Sequence, residues 1–242
     1  MLKKVFVFLM IIILSCIFCF SNVSARAGGG TSGGSSGGSS SSSLNTRKNG
    51  NSSGGSNNPV ERLLSSMVLM LVGCSTIIVL KIRLNKAKVK TRKKFRKLKW
   101  NYKDTKKRIE EAYYVIQKAW ANSDMSSAKE YMMQDLLDYF QMKLDWLDVA
   151  DKKNIMYDIK LLDFYPISLT DCRGEKDDVI WVYIKGEMID YTVDIEAGQL
   201  TDGEIESKVF IEFWQFKKNE VGKWVLNKIL QENELDKVPL DE

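Results

Sequence analysis

From Leu63 to Leu80 the chain reads LLSSMVLMLVGCSTIIVL, eighteen residues without a charge. The next nineteen, Lys81 to Lys99, hold eleven Lys or Arg and no acid. A helix of eighteen residues is about 27 Å long, close to the hydrocarbon thickness of a bilayer. A buried core helix would need partner elements beside it. This run is flanked instead by a Gly/Ser-rich stretch and by the basic residues. The sequence predicts a transmembrane helix over 63–82. An excess of Lys and Arg marks the cytoplasmic side. Residues 28–62 carry only Arg47, Lys48 and Arg62 against Glu61, so the C-terminal side is expected in the cytoplasm and the N-terminal side outside.

The first residues agree with that orientation. Lys3 and Lys4 precede an apolar core from Val5 to Phe20, and Ala25-Arg26-Ala27 is a small-x-small site before Gly28. This is the order of a secretory signal peptide over 1–27. Sixteen apolar residues are short for a bilayer crossing, and cleaved or not, this segment leaves the following domain in the cytoplasm. Residues 28–58 contain ten Gly and eleven Ser out of thirty-one. Such a composition cannot bury enough apolar surface to offset chain entropy, so 28–62 is expected to be a disordered external linker.

Charge divides the chain. Residues 1–100 hold seventeen Lys/Arg and one acid, whereas 101–242 hold nineteen Lys/Arg and thirty Asp/Glu. An acidic domain is a poor nucleic-acid binder, because phosphate attraction dominates that affinity. No His occurs, and Cys172 is the only cysteine after residue 100. Zinc sites and disulfide frameworks are not expected, and no cofactor is implied.

The basic segment 83–100 is expected to be a juxtamembrane helix. Leu84, Ala87, Thr91, Phe95 and Leu98 recur at spacings of three or four and make an apolar stripe. Lys86, Lys88, Lys90, Arg92, Lys93, Lys94, Arg96, Lys97 and Lys99 fill the other faces. Such a helix can lie on anionic headgroups, at about 1 kcal/mol per basic residue near the surface. A stop-transfer flank needs fewer charges than this. The run lacks aromatic stacking platforms for RNA.

Residues 101–233 are expected to form one cytoplasmic domain, and 234–242 a frayed acidic tail. Asp104 is a candidate N-cap for a helix from Thr105 to Ala121. Its stripe is Ile109, Ala112, Tyr113, Ile116, Ala119 and Trp120. Asp124 opens a short second helix with Met125, Ala128 and Met132 inward. Asp135 opens a third, with Leu137, Phe140, Leu144 and Leu147 in register. Strand signals follow at Asn154–Thr170, as one strand or as two broken at Pro166, and at Val179–Asp194, with Gly186 suggesting a bulge or bend. After the loop EAGQLTDG, Val209–Lys218 and Lys223–Gln231 make a hairpin around Asn219-Glu220-Val221-Gly222. Helices followed by long antiparallel strands indicate an α+β fold. Helices packed into a curled sheet would leave a conical cavity, a natural pocket.

Tyr113-x-x-Ile116-x-x-x-Trp120 with Asp124, IDYTVD with GQLTDGE, and FIEFWQF followed by WVLNKILQ occur in an order that resembles the Tim44-like domain family, the bacterial relatives of the mitochondrial inner-membrane import tether. The resemblance covers about Lys103 to Gln231. The signal peptide and ARAGGG ahead of a membrane helix are also similar to bacterial members. The resemblance implies a nuclear-transport-factor-two-like fold, a curled antiparallel sheet around helices. In mitochondria the family member is a peripheral scaffold that recruits a chaperone motor to the translocation channel, and its pocketed domain associates with anionic membrane. This chain lacks the long chaperone-recruiting N-terminal region, so chaperone recruitment does not carry over; membrane proximity does.

Three functional readings follow. An isomerase on this fold class would use a carboxylate base and a Tyr donor, here Asp190 with Tyr183 or Tyr191. Adjacent strand residues face opposite sides, so Asp190 and Tyr191 cannot share a pocket without a bulge, and no His, Ser/Lys or Cys constellation supports catalysis. A binder of a lipid or small apolar ligand would line its cavity with Trp120, Trp181, Tyr183 and Trp214, joined by Trp224. A scaffold would hold the acidic domain at the inner face of the membrane and bind an unidentified protein, in a role linked to protein translocation or membrane-protein handling. The expectation is the scaffold, non-enzymatic, single-pass in the cell membrane, with the membrane, a protein and an apolar ligand as its partners and no nucleic acid.

Overall fold

The computed structural model describes residues 59–172 and 178–241, with side chains from residue 78 onward. The expected signal peptide, most of the Gly/Ser linker, residues 173–177 and Glu242 lie outside the described residues. The backbone of the expected membrane segment is helical, within one helix, α1, Pro59–Lys97. Its side chains up to residue 77 lie outside the described set. Among the described residues no helix is long and apolar enough to cross a membrane. The chain divides into two units between Leu80 and Lys81. The first contributes the described backbone from Pro59 to Leu80. The second holds the rest of α1 and all that follows.

α1 ends in a motif that satisfies its last carbonyls. Trp100 N donates to Phe95 O at 3.0 Å and Lys99 N to Arg96 O at 3.2 Å. Lys99 takes the left-handed conformation (φ 57°) that usually falls to glycine. Helix α2, Tyr102–Ala121, starts one turn earlier than its apolar stripe requires. Its cap is Asn101, not Asp104: the Asn101 side chain accepts from Lys103 N at 3.1 Å and Asp104 N at 3.2 Å. The expected stripe from Ile109 to Trp120 is buried. A 3-10 helix, Met125–Tyr131, is capped by Asp124 as expected, with Ser126 N donating to Asp124 Oδ1 at 3.0 Å. Helix α3, Gln134–Val149, buries Leu137, Phe140 and Leu144.

Four antiparallel strands follow in the order β1-β2-β3-β4: Lys152–Thr170, Val179–Asp194, Leu200–Lys218 and Trp224–Gln231. The chain is α+β, helices first. Pro166 interrupts nothing, because β1 is an edge strand in this sheet and the missing N–H is tolerated there; a register shift follows it, between Pro166 and Ser168. β3 begins at Leu200, so much of EAGQLTDG is strand. Gly203 permits this with a positive φ of 79° against the Asp190 carbonyl. Gly186 marks no bulge in its own strand. It keeps register with Phe210 on β3, and the extra residue lies opposite, on β1 between Leu161 and Asp163.

The sheet has a core on each face. Strand alternation puts Ile180, Val182 and Ile184 of β2 into the larger cluster, with α2, α3 and Trp214. It puts Trp181 and Tyr183 into the smaller one, with Leu84 and Ala87 of α1, Phe213 and Val238. The C-terminal segment is therefore not frayed. A 3-10 helix spans Glu232–Lys237, and Val238 and Asp241 are buried.

Candidate functional site

Eight of the nine basic residues singled out in 86–99 belong to a helix fixed to the domain, and Lys99 follows its end. Leu84, Ala87, Thr91 and Phe95 point inward and are buried. Phe95 meets the rings of Trp100 and Tyr102 at centroid distances of 6.1 and 5.2 Å. The structure thus places the apolar stripe against the sheet, not free to enter lipid. Lys86, Lys90, Arg92, Lys93, Lys94, Arg96, Lys97 and Lys99 are exposed, and Lys88 is half-buried. Three of the nine also serve the domain. Lys88 Nζ sits 4.0 Å from the Tyr165 ring centroid. Lys94 Nζ donates to Leu169 O at 3.2 Å and pairs with Asp241. Arg92 lies over the Tyr102 ring at 5.6 Å. What remains outward is a row of solvated cations on a rigid support.

The four expected pocket residues do not meet. Trp120 and Trp214 lie on the helix side of the sheet, while Trp181 and Tyr183 lie on the α1 side. All four are buried, and three lie against other rings: Trp214 against Tyr113 at 5.6 Å, Trp120 against Phe140 at 5.6 Å, Tyr183 stacked on Tyr165 at 4.8 Å. Burial lifts the Tyr165 hydroxyl to about 12, with the Asp163 charge adding to it. The same first cause raises Tyr183. Both are neutral phenols across the physiological range.

Asp190 is 4% exposed and faces the helix side, whereas Tyr191 is only half-buried. Trp120 Nε1 donates to Asn154 Oδ1 at 3.0 Å, and Asn154 Nδ2 donates to Asp190 Oδ1 at 2.8 Å. Tyr183 is across the sheet, so the structure does not bring Asp190 and Tyr183 together. A local signal existed: Asp190 shares parity with Ile184 and Met188. Among the described residues no three His, Cys, Asp or Glu side chains cluster as metal ligands.

A cleft of about 430 Å³ opens at another place, between the start of α2 and the β3–β4 hairpin. Its walls include Trp100 and Trp224, ring centroids 5.5 Å apart. Lys218 Nζ lies 4.7 Å from the first ring and 5.4 Å from the second, and pairs with buried Asp178 at 2.9 Å. Arg108 Nε donates to Trp224 O at 3.2 Å. Of the residues weighed from sequence as pocket lining, only Trp224 is here. Trp100 and Arg108 are more than a hundred residues from Lys218, and no local pattern joins them.

No curated protein matches the chain. Among solved structures, the intermembrane space region of chloroplast protein ARC6 superposes with a TM-score of 0.41 at 7% identity, covering 54% of this chain and 95% of that one. A family model, the Tim44-like domain, matches residues 87–231. That span begins inside the basic part of α1, ahead of the Lys103 start of the sequence resemblance, and ends with β4. With Ala87, Thr91 and Phe95 of the buried helix face, three packed helical segments and the four-stranded sheet inside the match, the chain belongs to the Tim44-like domain family.

Proposed function

We propose that the chain is a membrane-anchored, non-enzymatic interaction module. Residues 63–82 cross the cell membrane, the linker stands outside, and the acidic domain is displayed at the cytoplasmic face in a role related to translocation. One observation carries this reading: the helix that leaves the membrane segment is fastened to the domain by its apolar side, with Lys86, Lys90, Lys93, Arg96 and Lys97 exposed. Those cations meet anionic headgroups at about 1 kcal/mol each, screened by salt. Family membership supports membrane and protein association in general.

The test is co-sedimentation of residues 81–242 with vesicles. Binding should need anionic lipid, weaken with salt, and vanish when Lys86, Lys90, Lys93 and Lys97 are all changed to Gln. Salt-insensitive binding to zwitterionic vesicles would defeat the electrostatic reading. A second reading has the cleft beside Trp100 and Trp224 to support it, as a site for a small apolar ligand. It predicts tryptophan fluorescence changes that Trp100→Ala abolishes.

A further inference from the structure

α3 has two apolar faces. Leu137, Phe140 and Leu144 pack inward. Tyr139, Met142, Trp146 and Val149 follow at spacings of three, four and three, on the opposite side, and remain 46%, 49%, 70% and 80% exposed. A stripe of this kind keeps apolar surface in water with no packing in return, and marks an interaction surface. Asp138, Asp145 and Asp148, all exposed, run along one edge. Gln134 Nε2 donates to Asp138 Oδ1 at 2.7 Å and Gln141 Nε2 to Asp145 Oδ1 at 2.8 Å, which holds two of the carboxylates in line. Lys143 lies toward the other edge, its Nζ 4.9 Å from the Tyr139 ring centroid.

Charge selects among occupants. An anionic leaflet repels the acidic edge. A second copy pairing α3 on α3 antiparallel about a two-fold axis sets the same acidic edge of each helix side by side. We propose that this stripe docks a partner helix whose own apolar stripe is bordered by Lys or Arg. Trp146 is the anchor, and the aspartates fix the register. The inference rests on reading the domain as an interaction module, and names the chemistry of the partner. α3 packs on one face of the sheet, and Leu84 and Ala87 of α1 pack on the other, with Phe95 joining the helix-side cluster.

The experiment uses the full chain in neutral detergent and two labelled helical peptides with one leucine stripe, edged by Lys or by Glu. Fluorescence anisotropy should show salt-sensitive binding of the Lys-edged peptide only. Trp146→Ser should weaken it at least tenfold, with the thermal melt unchanged because the side chain is exposed. Asp145→Lys with Asp148→Lys should transfer preference to the Glu-edged peptide, a result that loss of folding cannot imitate. Equal binding of both peptides, or binding indifferent to Trp146→Ser, overturns the assignment. Self-association of the chain that Trp146→Ser abolishes overturns it in favour of a second copy. The Gln variant that abolishes vesicle binding should bind the Lys-edged peptide normally, so the membrane reading and this one fail separately.

Discussion

Thr91 Oγ1 donates to Asp241 Oδ2 at 2.8 Å, joining residues 150 positions apart. The same carboxylate accepts from Leu169 N at 3.2 Å and pairs with Lys94, and Asp241 N donates to Ile167 O at 3.2 Å. One buried side chain thus fastens the basic helix, the edge strand β1 and the C-terminus. Coulomb attraction between a basic helix and an acidic domain has no preferred geometry; this contact supplies one.

Asp241→Ala should therefore loosen α1 before it unfolds the domain. It leaves the Thr91 hydroxyl and the Leu169 N–H buried without their acceptor, at roughly 1–3 kcal/mol for each orphaned group. Amide exchange should accelerate across residues 84–97 and at Leu169, with little change in α2. Unchanged protection of 84–97 would show that the tail does not hold the helix.

Lys99 offers a gain instead of a loss. Its left-handed backbone closes α1, and the contact of Trp100 with Phe95 completes the motif. Lys99→Gly removes the Cβ conflict and should stabilise by about 0.5–1 kcal/mol, net of the greater freedom glycine gives the unfolded chain. Urea unfolding of residues 81–242 checks it, and a loss of stability would mean that the lysine side chain contributes more than its backbone costs.

How far the sequence announced this domain depends on the range of the signal. The stripe of α2, the Asp124 cap, both ends of β2 and the β3–β4 turn are local patterns, and each was legible. The Asn101 cap competed with Asp104 three residues on, and either side chain suits the role. β3 was cut short because Thr201, Asp202 and Gly203 have loop chemistry, and only pairing with Tyr191 and Thr192 makes them strand. Parity sets Trp181 and Tyr183 on one face together but not which face that is; the expectation that placed them beside Trp120 and Trp214 fails because the cover of their own face comes from residues near 84 and 238. The basic stripe looked amphipathic for the same reason: period shows that a face is apolar, not whether sheet or lipid meets it.

Gly186 is held by packing, not by backbone conformation. A Cβ there would collide with the Phe210 ring and the Tyr113 hydroxyl, which itself donates to Lys160 O at 3.2 Å. Gly186→Ala should cost roughly 1–3 kcal/mol by overpacking and lower the thermal midpoint. Adding Phe210→Leu should recover part of the loss. If the single variant melts like the parent, the ring moves freely and the contact is not a constraint.

Alkaline pH tests the smaller core. Burial first, and then the Asp163 charge, raise Tyr165 from 10.0 to about 12. The unfolded chain therefore releases this proton earlier than the folded one. The neutral phenol's contribution is whole below pH 10 and is lost as pH rises from 10 toward 12. At one unit per roughly 1.4 kcal/mol, the loss is on the order of 2 kcal/mol by the upper end. Tyr183, stacked 4.8 Å away, is raised in the same direction and adds to it. Tyr165→Phe keeps the ring contact and removes one titration. Urea unfolding from neutral pH to about 11 should fall less steeply in the variant, with the two curves parallel below pH 10. Curves that stay parallel throughout would place Tyr165 in water in solution, with α1 lifted from the sheet.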